Sequence, residues 1–443
     1  MKPEQAKRLE VFLKKAESTN ARIAYDTEKY RKGDGHLTVT DKNGKAIVGA
    51  KVLLSQKKHE FSFGCNCFML DSMETPEKNA AYKEYVKKAF NTVTVPFYWN
   101  TLEPEQGKTR YTVDSPYIYR RPTPDACLAF CEENGIEPKL HCLNYDTFAP
   151  DWYKAKPIPE QKRLLEKRMR EISERYADKI PGIEVTNELW WHESRVSAFY
   201  EAEDFVDWSY KTADKYFPNN FLIMNEGQDD NWILADIGAP TRQRYYLLIK
   251  EALANGCRID RIGMQFHIWK NLAENPNFYD PDKLYRTMDT YGRFGKELQV
   301  TEVTIPPMAG GEDAEEYQAA LLERYYRIWF SHKDMQAVIY WNLWDGYAYG
   351  AEIGDMTQGE NIYYGGLINF DGTPKKAYNT LLSLLKEWHT ETEAVTDEGG
   401  KATFRGYFGD YGATVVLPDG KTVKTALSIS KYSKNNLAVT LPV

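Results

Sequence analysis

The sequence predicts an α/β fold: a (β/α)8 barrel with a small β-sandwich beside it, formed by the N- and C-terminal segments. Eight short apolar runs alternate with helical stretches through the middle of the chain, as parallel strands buried on both faces do. The two ends of the chain instead alternate apolar and polar residues. At 443 residues the chain exceeds the about 250 that such a barrel takes, which leaves room for a second, smaller module.

The N-terminal part, residues 1–58, combines a charged helix over 1–32 with a predicted hairpin. Residues His36–Leu54 alternate in polarity around Asn43-Gly44, a strong hairpin signal. A hairpin alone is marginally stable in water, and residues 391–443 contain further short strands of the same alternating kind. We therefore predict that the two ends meet in one β module, and that the barrel spans residues 59–390.

The eight barrel strands follow one another through residues 59–390. They are predicted over residues 60–67, 91–99, 137–145, 182–189, 220–227, 261–269, 296–305 and 335–344. Helices fill the gaps, for example over 122–135 and 315–330. An open doubly wound sheet is the alternative architecture, but the dinucleotide-binding motif GxGxxG is missing from the sequence, so the barrel is favoured.

Composition argues against several classes of partner and cofactor. The net charge of −7 leaves no basic surface for nucleic acid or anionic lipid, and no apolar run is long enough to span a membrane. The charged start does not resemble a signal peptide, so we expect a cytoplasmic protein or a secreted form without its leader. A monomer is expected. The six cysteines show no disulfide framework; free buried thiols are favoured over a zinc site, and no metal or cofactor is predicted.

Chemistry-bearing side chains occur where the predicted strands end, which is where working residues lie in a (β/α)8 barrel. The strand interiors, by contrast, stay apolar. In chain order, the strand ends carry Tyr98, Trp99 and Asn100; His141, Tyr145 and Asp146; Asn187 and Glu188; Asn225 and Glu226; Gln265, His267 and Trp269; Glu302; and Trp341, Trp344 and Asp345.

Two of these residues, Glu188 and Glu302, are the predicted catalytic pair. They lie 114 positions apart, about three βα repeats, which puts the fourth and seventh strands across the barrel mouth from each other. Glycosidic cleavage needs one carboxyl group to protonate the leaving oxygen and a second to attack the anomeric carbon or activate water. A separation of about 5–5.5 Å makes such an enzyme retaining. Glu226 also ends a strand, but that strand neighbours the fourth and is less well placed.

The order of motifs resembles that of glycoside hydrolase family 10, the xylanase family. Its WDVVNE pattern is matched by IEVTNE, which carries Asn187 and Glu188, and its ITELD pattern by VTEVT, which carries Glu302. Its GLQSH segment is matched by GMQFH with Gln265 and His267, and HTLVWHSQxPDW by HCLNYDTFAPDW. Weaker matches are WNTLEPEQG and GLINFDGTPKKAY. The resemblance, over roughly residues 36–390, implies an endo-β-1,4-xylanase-like retaining hydrolase with Glu188 as acid/base and Glu302 as nucleophile.

The residues beside this pair depart from the family pattern. In ENxxKW the Asn and Lys hydrogen-bond the sugar, whereas Val95 and Tyr98 stand in their places here. A sugar-contacting His is replaced by Asp146, and the Asp after the nucleophile by Thr304. Because a site that hydrogen-bonds its sugar discriminates against other hydroxyl patterns, these changes favour a changed substrate. Glycosidase chemistry is therefore better supported than xylan as the substrate.

The remaining candidates are assigned to substrate binding. Asn187 is expected to contact the 2-hydroxyl of the attacked sugar, and His267 to orient Glu302. Each candidate also has a structural alternative, as a core histidine, a turn residue or a packing aromatic. The other predicted substrate-binding residues are Gln265 and His141, the stacking surfaces Trp341 and Trp344, and the subsite residues Trp99, Tyr98, Tyr145 and Asp146.

Other functions stay open at this point. The same chemistry on a different β-linked glycan, by an exo-acting or transglycosylating enzyme, is one alternative. A catalytically silent carbohydrate-binding barrel is another, although both carboxyl groups are present. A phosphate-binding barrel would need a Gly-rich turn after the seventh or eighth strand; Ala309-Gly310-Gly311 follows the seventh, but a lid loop explains it equally well.

Overall fold

The computed structural model describes residues 2–191, 196–227, 240–269 and 273–442. Within these ranges the strands are β1 (Lys32–Thr40), β2 (Lys51–His59), β3 (Ser62–Asn66), β4 (Thr92–Pro96), β5 (Glu137–His141), β6 (Gly182–Asn187), β7 (Phe221–Glu226), β8 (Arg261–His267), β9 (Glu297–Thr304), β10 (Met335–Tyr340), β11 (Glu391–Val395), β12 (Lys401–Tyr407), β13 (Gly409–Val416), β14 (Thr422–Ile429) and β15 (Asn436–Thr440).

Helices occupy most of the connections between these strands. The α-helices are α1 (Pro3–Lys14), α2 (Ala16–Tyr30), α3 (Pro76–Ala89), α4 (Trp99–Leu102), α5 (Pro124–Asn134), α6 (Asp151–Lys154), α7 (Ile158–Tyr176), α8 (Phe205–Tyr216), α9 (Arg244–Ala254), α10 (Pro281–Tyr291), α11 (Glu312–Ser331) and α12 (Lys376–Glu387). Short 3₁₀ turns cover Asp146–Phe148, Pro240–Arg242, Pro276–Tyr279, Gly292–Phe294 and Gly359–Tyr363.

Strands β3 to β10 close into an eight-stranded barrel, which confirms the predicted fold class. Neighbouring strands pair in parallel, and β10 pairs back with β3. Each of the eight predicted strands is present, with ends that lie up to four residues inside the predicted ones. All residues of β6 and β8 are buried, as expected for strands covered by helices outside and by packed side chains inside.

Helix α11 shows how the outer layer is held on the barrel. Leu321, Tyr325 and Trp329 recur every four residues on one face and are buried in the main core. The first turn is acidic, which suits the positive end of the helix dipole. Lys376 of α12 contacts the Glu312 and Glu316 carboxylates, and so joins the ends of two neighbouring helices.

The two ends of the chain meet in a β-sandwich. One sheet has the order β12-β1-β15 and the other β11-β2-β13-β14, so each contains strands from both ends. Alternate residues face a shared interior, where Leu37 and Val39 of β1 join Val52 and Leu54 of β2 and Val415 of β13. The small β-sandwich predicted from the terminal segments is therefore present.

The predicted hairpin over His36–Leu54 is wrong. Its two strands, β1 and β2, lie in opposite sheets and do not pair with each other. A single bridge, Thr40 to Ala46, closes the turn around Gly44, whose φ of 79° suits glycine. The apolar residues of both strands need the same interior, and the connection carries the chain across the sandwich so that they reach it from opposite sides.

The N-terminal helical region also differs from the single helix predicted over 1–32. It forms α1 and α2, which break at Lys15, where the side chain contacts Asp280. Leu9 and Phe12 belong to the main core, and the ring of Phe12 meets Tyr325 of α11 edge-on at 5.6 Å. The helices therefore pack on the outside of the barrel, while β1 and β2 each join one sheet of the sandwich.

The cysteines are all free and buried. In the ranges that the structure describes, no cluster of three or more His, Cys, Asp or Glu side chains is arranged to hold a metal ion. Nor does any helix in those ranges have the length and apolar character needed to cross a bilayer.

Candidate active site

A cavity of about 560 Å³ opens at the C-terminal ends of the barrel strands, within the size range of small-molecule sites. Glu188 and Glu302 both line it, as do Asn187, Gln265 and His267. Its walls are rich in aromatic rings. These are Phe68, Tyr98, Tyr145, Phe148, Trp190, Trp191, Trp269, Trp341, Tyr349 and Tyr363.

Glu302 is held by three neighbouring side chains. Its Oε1 accepts hydrogen bonds of 3.0 Å from both the Asn225 and the Gln265 amide nitrogens. Its Oε2 lies 3.2 Å from Nε2 of His267. The side chain is buried, with 3% of its surface exposed. Neighbouring groups on both oxygens hold the carboxylate in one orientation.

Three amide side chains connect the strands beneath the two carboxyl groups. Asn187 Oδ1 accepts from Asn225 Nδ2 at 2.7 Å and from Gln265 Nε2 at 3.3 Å. Both donors also reach Glu302, so strands β6, β7, β8 and β9 share one network. Thr301 donates its hydroxyl to Asn225 Oδ1, which leaves the Asn225 amide nitrogen facing Glu302. The network sets the position of Glu302 relative to the end of β6, where Glu188 lies.

His267, at the end of β8, contacts Glu302 and Thr304 of β9 and stacks on an aromatic ring. Its Nδ1 lies 2.9 Å from the Thr304 hydroxyl, and its ring stacks on Trp269 with centroids 4.5 Å apart. The ring is thus fixed on its edge and on one face, with Nε2 toward Glu302. This is the arrangement expected of a histidine that orients a carboxylate.

Glu188 has a different environment, at the point where β6 ends. Its backbone has φ of +47°, the left-handed region that non-glycine residues seldom adopt, and its N–H donates to the Asn225 carbonyl at 3.2 Å. Tyr145 donates its hydroxyl to Glu188 Oε2. Burial and, next, the charge of Glu302 raise the pKa of Glu188 to about 7, against the hydrogen bonds from Tyr145 and Gln265 that lower it.

Glu226 lines the cavity, but its carboxyl group binds a backbone N–H. Both of its carboxyl oxygens accept from the N–H of Leu189, at 3.0 and 3.1 Å, directly after Glu188. Burial holds its pKa well above the ordinary value, and the charge of Glu188 adds to this. By accepting the Leu189 N–H, the Glu226 carboxyl group supports the turn that contains Glu188.

His141 lies on the opposite side of the cavity in a second network. Its Nε2 is 3.0 Å from the Tyr98 hydroxyl, and its Nδ1 contacts the Glu184 carboxylate. Glu184 also receives Lys139 Nζ. Although burial acts to raise the pKa of Glu184, the charges of Lys139 and His141 outweigh it and lower the pKa. The ring of Trp341 meets His141 edge-on at 5.4 Å, and both residues line the cavity as predicted.

Three predicted substrate-binding residues lie outside the cavity. Trp99 starts the short helix α4, which turns its ring into the core, where it donates to Glu103 at 2.8 Å. Asp146 starts a 3₁₀ turn and accepts from the N–H and hydroxyl of Ser197 at 3.0 and 2.5 Å. Trp344 is buried and donates to the Phe370 carbonyl at 3.4 Å. Each residue follows the end of a strand, where the alternation that aims side chains inward has stopped.

Comparisons with known proteins place the chain in a family. The sequence profile of Glycosyl hydrolase family 10 matches residues 55–384, about three quarters of the chain. The chain belongs to glycosyl hydrolase family 10. This membership confirms the family that the sequence motifs resemble.

Curated relatives of this family 10 chain are distant. It is 23% identical to the anti-sigma-I factor RsgI6 of Acetivibrio thermocellus, over 91% of this chain and 47% of that protein. It is 22% identical to endo-1,4-beta-xylanase 1 of Arabidopsis thaliana, over 93% of this chain and 39% of that protein. The chain thus spans less than half the length of these relatives. The xylanase 10B structure from Thermotoga petrophila, in complex with xylobiose, shares the fold at 21% identity, with a TM-score of 0.58, over 74% of this chain and 94% of that one.

The structure gives a physical account of the departures from the family 10 pattern. Val95 is fully buried within β4 and offers no polar group to a ligand. Tyr98 lines the cavity and contacts His141, so an aromatic ring occupies a place where the pattern has Lys. Asp146 turns away, and Thr304 meets His267 with a neutral hydroxyl. The cavity wall on the β4 and β5 side therefore presents the rings of Tyr98, Tyr145 and Phe148.

Some residues of the cavity and of the network beneath it are not predicted by the sequence to bind substrate. Asn225 joins the network, and its place near the end of an apolar strand is a usable signal. Trp269 lines the cavity, and the sequence gives it a place at a strand end but no role. Arg120 and Arg121 lie in the long β4–α5 connection, which has no periodicity that could place them.

Replacing Tyr145 with phenylalanine is expected to move the alkaline limb of the kcat/KM profile upward by about one pH unit. The Tyr145 hydroxyl stabilises the ionised form of Glu188, so its loss raises the pKa of Glu188 above about 7 and keeps the acid protonated to higher pH. The measurement is kcat/KM against pH for both proteins.

The matched control for this change is Tyr432→Phe. It removes a tyrosine–carboxylate hydrogen bond, to Glu297, at the other end of β9. The control should leave the profile in place. A Tyr145→Phe profile that coincides with that of the wild type would show that the hydroxyl does not act on the titrating group.

Proposed function

We propose that this chain is a retaining glycoside hydrolase that cleaves a β-linked polysaccharide or oligosaccharide. The observation that carries the proposal is the contrast between its two cavity carboxyl groups. Glu302 has donors on both oxygens, whereas the pKa of Glu188 is raised to about 7. Two titratable groups with environments this different fit the nucleophile and the acid of one reaction.

In this proposal Glu302 is the nucleophile. It attacks the anomeric carbon and forms a glycosyl-enzyme ester, while the bond to the leaving oxygen breaks. Asn225, Gln265 and His267 hold the carboxylate in one orientation before the attack. A nucleophile that is already oriented has less conformational freedom to lose in the transition state.

Glu188 is the proposed acid/base. With a pKa of about 7 it is substantially protonated at neutral pH and can give its proton to the leaving oxygen. The charge of Glu302 contributes to that pKa. When the ester forms, that charge is lost, the pKa of Glu188 falls, and its carboxylate can deprotonate the water that releases the sugar.

Asn187 is the proposed contact to the 2-hydroxyl of the attacked sugar. Its Oδ1 is occupied by Asn225 and Gln265, so its orientation is set and its amide nitrogen is available to donate to a ligand. Hydrogen bonds to this hydroxyl strengthen as the transition state forms. Trp341 is the proposed surface on which a neighbouring sugar ring rests.

The first substrate to test is a β-1,4-xylan chain, because family 10 relatives are named as endo-1,4-beta-xylanases. The aromatic wall formed where the family pattern has polar sugar contacts supports the second candidate, a different β-linked glycan cleaved with the same chemistry. A silent carbohydrate-binding barrel is disfavoured, because both carboxyl groups are present with distinct environments.

The experiment is hydrolysis of defined oligosaccharides, β-1,4-xylohexaose beside other β-linked glycans, with the anomeric form of the first product read by NMR. We expect the β-anomer to appear first, and Glu188→Ala and Glu302→Ala each to lower the release by at least about a hundredfold. An α-anomer as the first product would overturn the retaining mechanism. Binding without cleavage across the panel would favour the silent barrel.

A further inference from the structure

Two adjacent arginines lie in the cavity wall with most of their surface buried. Arg120 and Arg121 are 7% and 8% exposed, and both line the cavity. The Nε–H of each is buried and has no hydrogen-bond partner. Within the described ranges, neither guanidinium forms an ion pair with a carboxylate, although the buried Lys139 and Lys375 both do.

The groups that surround these arginines are aromatic. Arg121 lies over the ring of Tyr98, 4.2 Å from its centroid, with Phe68 and Phe148 farther out at 5.4 and 5.8 Å. Arg120 lies 6.0 Å from the centroid of Phe68. Ring faces attract a cation, but they do not neutralise it.

The two guanidinium groups also act on each other. Burial lowers the pKa of Arg121 to about 10; Tyr98 acts to raise it, and the like charge of Arg120 lowers it further, so Arg121 stays charged at neutral pH. A buried charge without a counterion is costly, and proteins normally pair it. Water in the open cavity can solvate these groups while the site is empty. A glycan that fills the cavity removes that water.

The arginines lie within reach of a sugar bound beside the catalytic pair. Arg121 contacts Tyr98, whose ring centroid is 6.3 Å from that of Tyr145, and Tyr145 donates to Glu188. The charge is thus two aromatic rings away from the proposed acid/base. Both arginines line the same cavity as the catalytic pair, so a glycan that fills the cavity meets them.

We propose that Arg120 and Arg121 bind a carboxylate carried by the glycan, so that the substrate is an acidic, uronate-bearing one. The inference rests on the proposed function, since it names the substrate class of the same site. A guanidinium matches a carboxylate in shape and forms paired, charge-assisted hydrogen bonds with it. A neutral glycan would displace the water and leave both charges unpaired, and that penalty discriminates against it.

The decisive measurement is calorimetric binding to the full chain carrying Glu302→Gln, which keeps the cavity but removes the proposed nucleophile. The probes are xylotriose with a glucuronosyl branch and a β-1,4-linked disaccharide that contains glucuronic acid, each beside its carboxyl-reduced form. We expect at least one acid to bind about tenfold or more tightly than its reduced form. Which acid does so tells whether the uronate belongs to a branch or to the main chain. Equal binding of acid and reduced forms, or no binding of either acid, would overturn the proposal.

Two variants then test whether the arginines cause the preference for the acid probes. Arg120→Gln and Arg121→Gln, made in the same protein, should reduce the ratio between acid and reduced probes toward one. Arg163→Gln should keep that ratio, because Arg163 is exposed on α7 and pairs within that helix with Glu160. Melting temperatures identify any variant that fails to fold, and the comparison of probes on the parent protein decides the question in that case. A preference that survives both substitutions would also overturn the assignment.

Failure of this proposal can be distinguished from failure of the proposed function. An acid probe that binds through the arginines but is not cleaved by the wild type would support the uronate site and contradict the proposed hydrolase function. If the wild type cleaved acid and reduced probes with equal kcat/KM, and Glu302→Gln lost this activity, the proposed hydrolase function would be supported and the preference for a uronate contradicted.

Discussion

Replacing Glu302 with glutamine is expected to lower kcat/KM by about 10⁴-fold or more on whichever glycan the chain cleaves. The amide has nearly the same shape as the carboxylate, but it cannot form the ester to the anomeric carbon. It also meets the amide nitrogens of Asn225 and Gln265, which donate to a carboxylate oxygen in the wild type. The measurement is steady-state hydrolysis of an oligosaccharide and of its activated aryl glycoside.

The control for Glu302→Gln is Glu297→Gln. Glu297 begins the same strand at the end far from the cavity, where it pairs with Arg261, so its loss tests the general cost of removing a carboxylate from β9. It should keep kcat/KM within a few-fold of the wild type. In Glu302→Ala, added azide should enter the vacated space and give a glycosyl azide of inverted configuration. A Glu302→Gln protein with more than about a hundredth of wild-type activity would contradict the nucleophile role.

The barrel could be predicted because its signal is repeated and physically simple. A strand covered on both faces must be apolar along its length, and eight such runs separated by helices have few ways to fold. Strands β6 and β8 are buried along their whole length, and their polar residues, such as Gln265 and His267, face the site side of the barrel. The hairpin could not be predicted correctly, since alternation shows that a strand has one buried face but not which sheet it joins. The partners of β1 and β2 come from the last fifty or so residues.

Site residues within strands were predictable for the same reason. Gln265 and His267 lie two apart on β8, so both side chains face the same interior, and β8 pairs with β9 so that Gln265 stands beside Glu302. Asn225 obeys the same geometry on β7, beside Asn187. Its contribution to the network depends on hydrogen bonds across three strands, and these cannot be read from one strand at a time.

Residues beyond the strand ends could not be placed from the sequence. Tyr98 and Trp99 are adjacent, yet a short helix begins between them, so one ring enters the cavity and the other enters the core. Tyr145 and Asp146 separate in the same way at a 3₁₀ turn. In both pairs a change of backbone direction at one residue decides which side chain enters the cavity.

The contrast between the two carboxyl groups depends on the strand ends as well. Glu302 lies within β9 and is surrounded by side chains of neighbouring strands that donate to it. Glu188 lies one residue past β6, in a left-handed turn that the buried Glu226 supports through Leu189. That turn takes Glu188 away from most of the amide network and leaves Tyr145 as its close donor. One more residue of chain therefore gives the second carboxyl group a different set of donors, while burial and the charge of Glu302 raise its pKa.

Replacing Glu188 with alanine is expected to lower kcat/KM by about 10²- to 10⁴-fold on a natural glycan, whose leaving group needs a proton. The loss should be much smaller for a dinitrophenyl glycoside, because its leaving group departs without protonation. With that substrate the glycosyl-enzyme ester should accumulate, since no base activates the water that releases it. Wild-type kcat/KM should also fall above about pH 7 as Glu188 loses its proton, and this alkaline limb should disappear in Glu188→Ala.

Azide separates the acid/base role from a role in folding. It should accelerate Glu188→Ala by attacking the accumulated ester, and the glycosyl azide should keep the configuration of the substrate, opposite to the product from Glu302→Ala. Glu226→Gln is the useful comparison, because its amide oxygen can still accept from Leu189 as the carboxyl group does. That variant should respond to leaving group and azide as the wild type does. If Glu188→Ala lost activity equally on both kinds of leaving group, with no azide product, Glu188 would be a residue of the turn and not the acid.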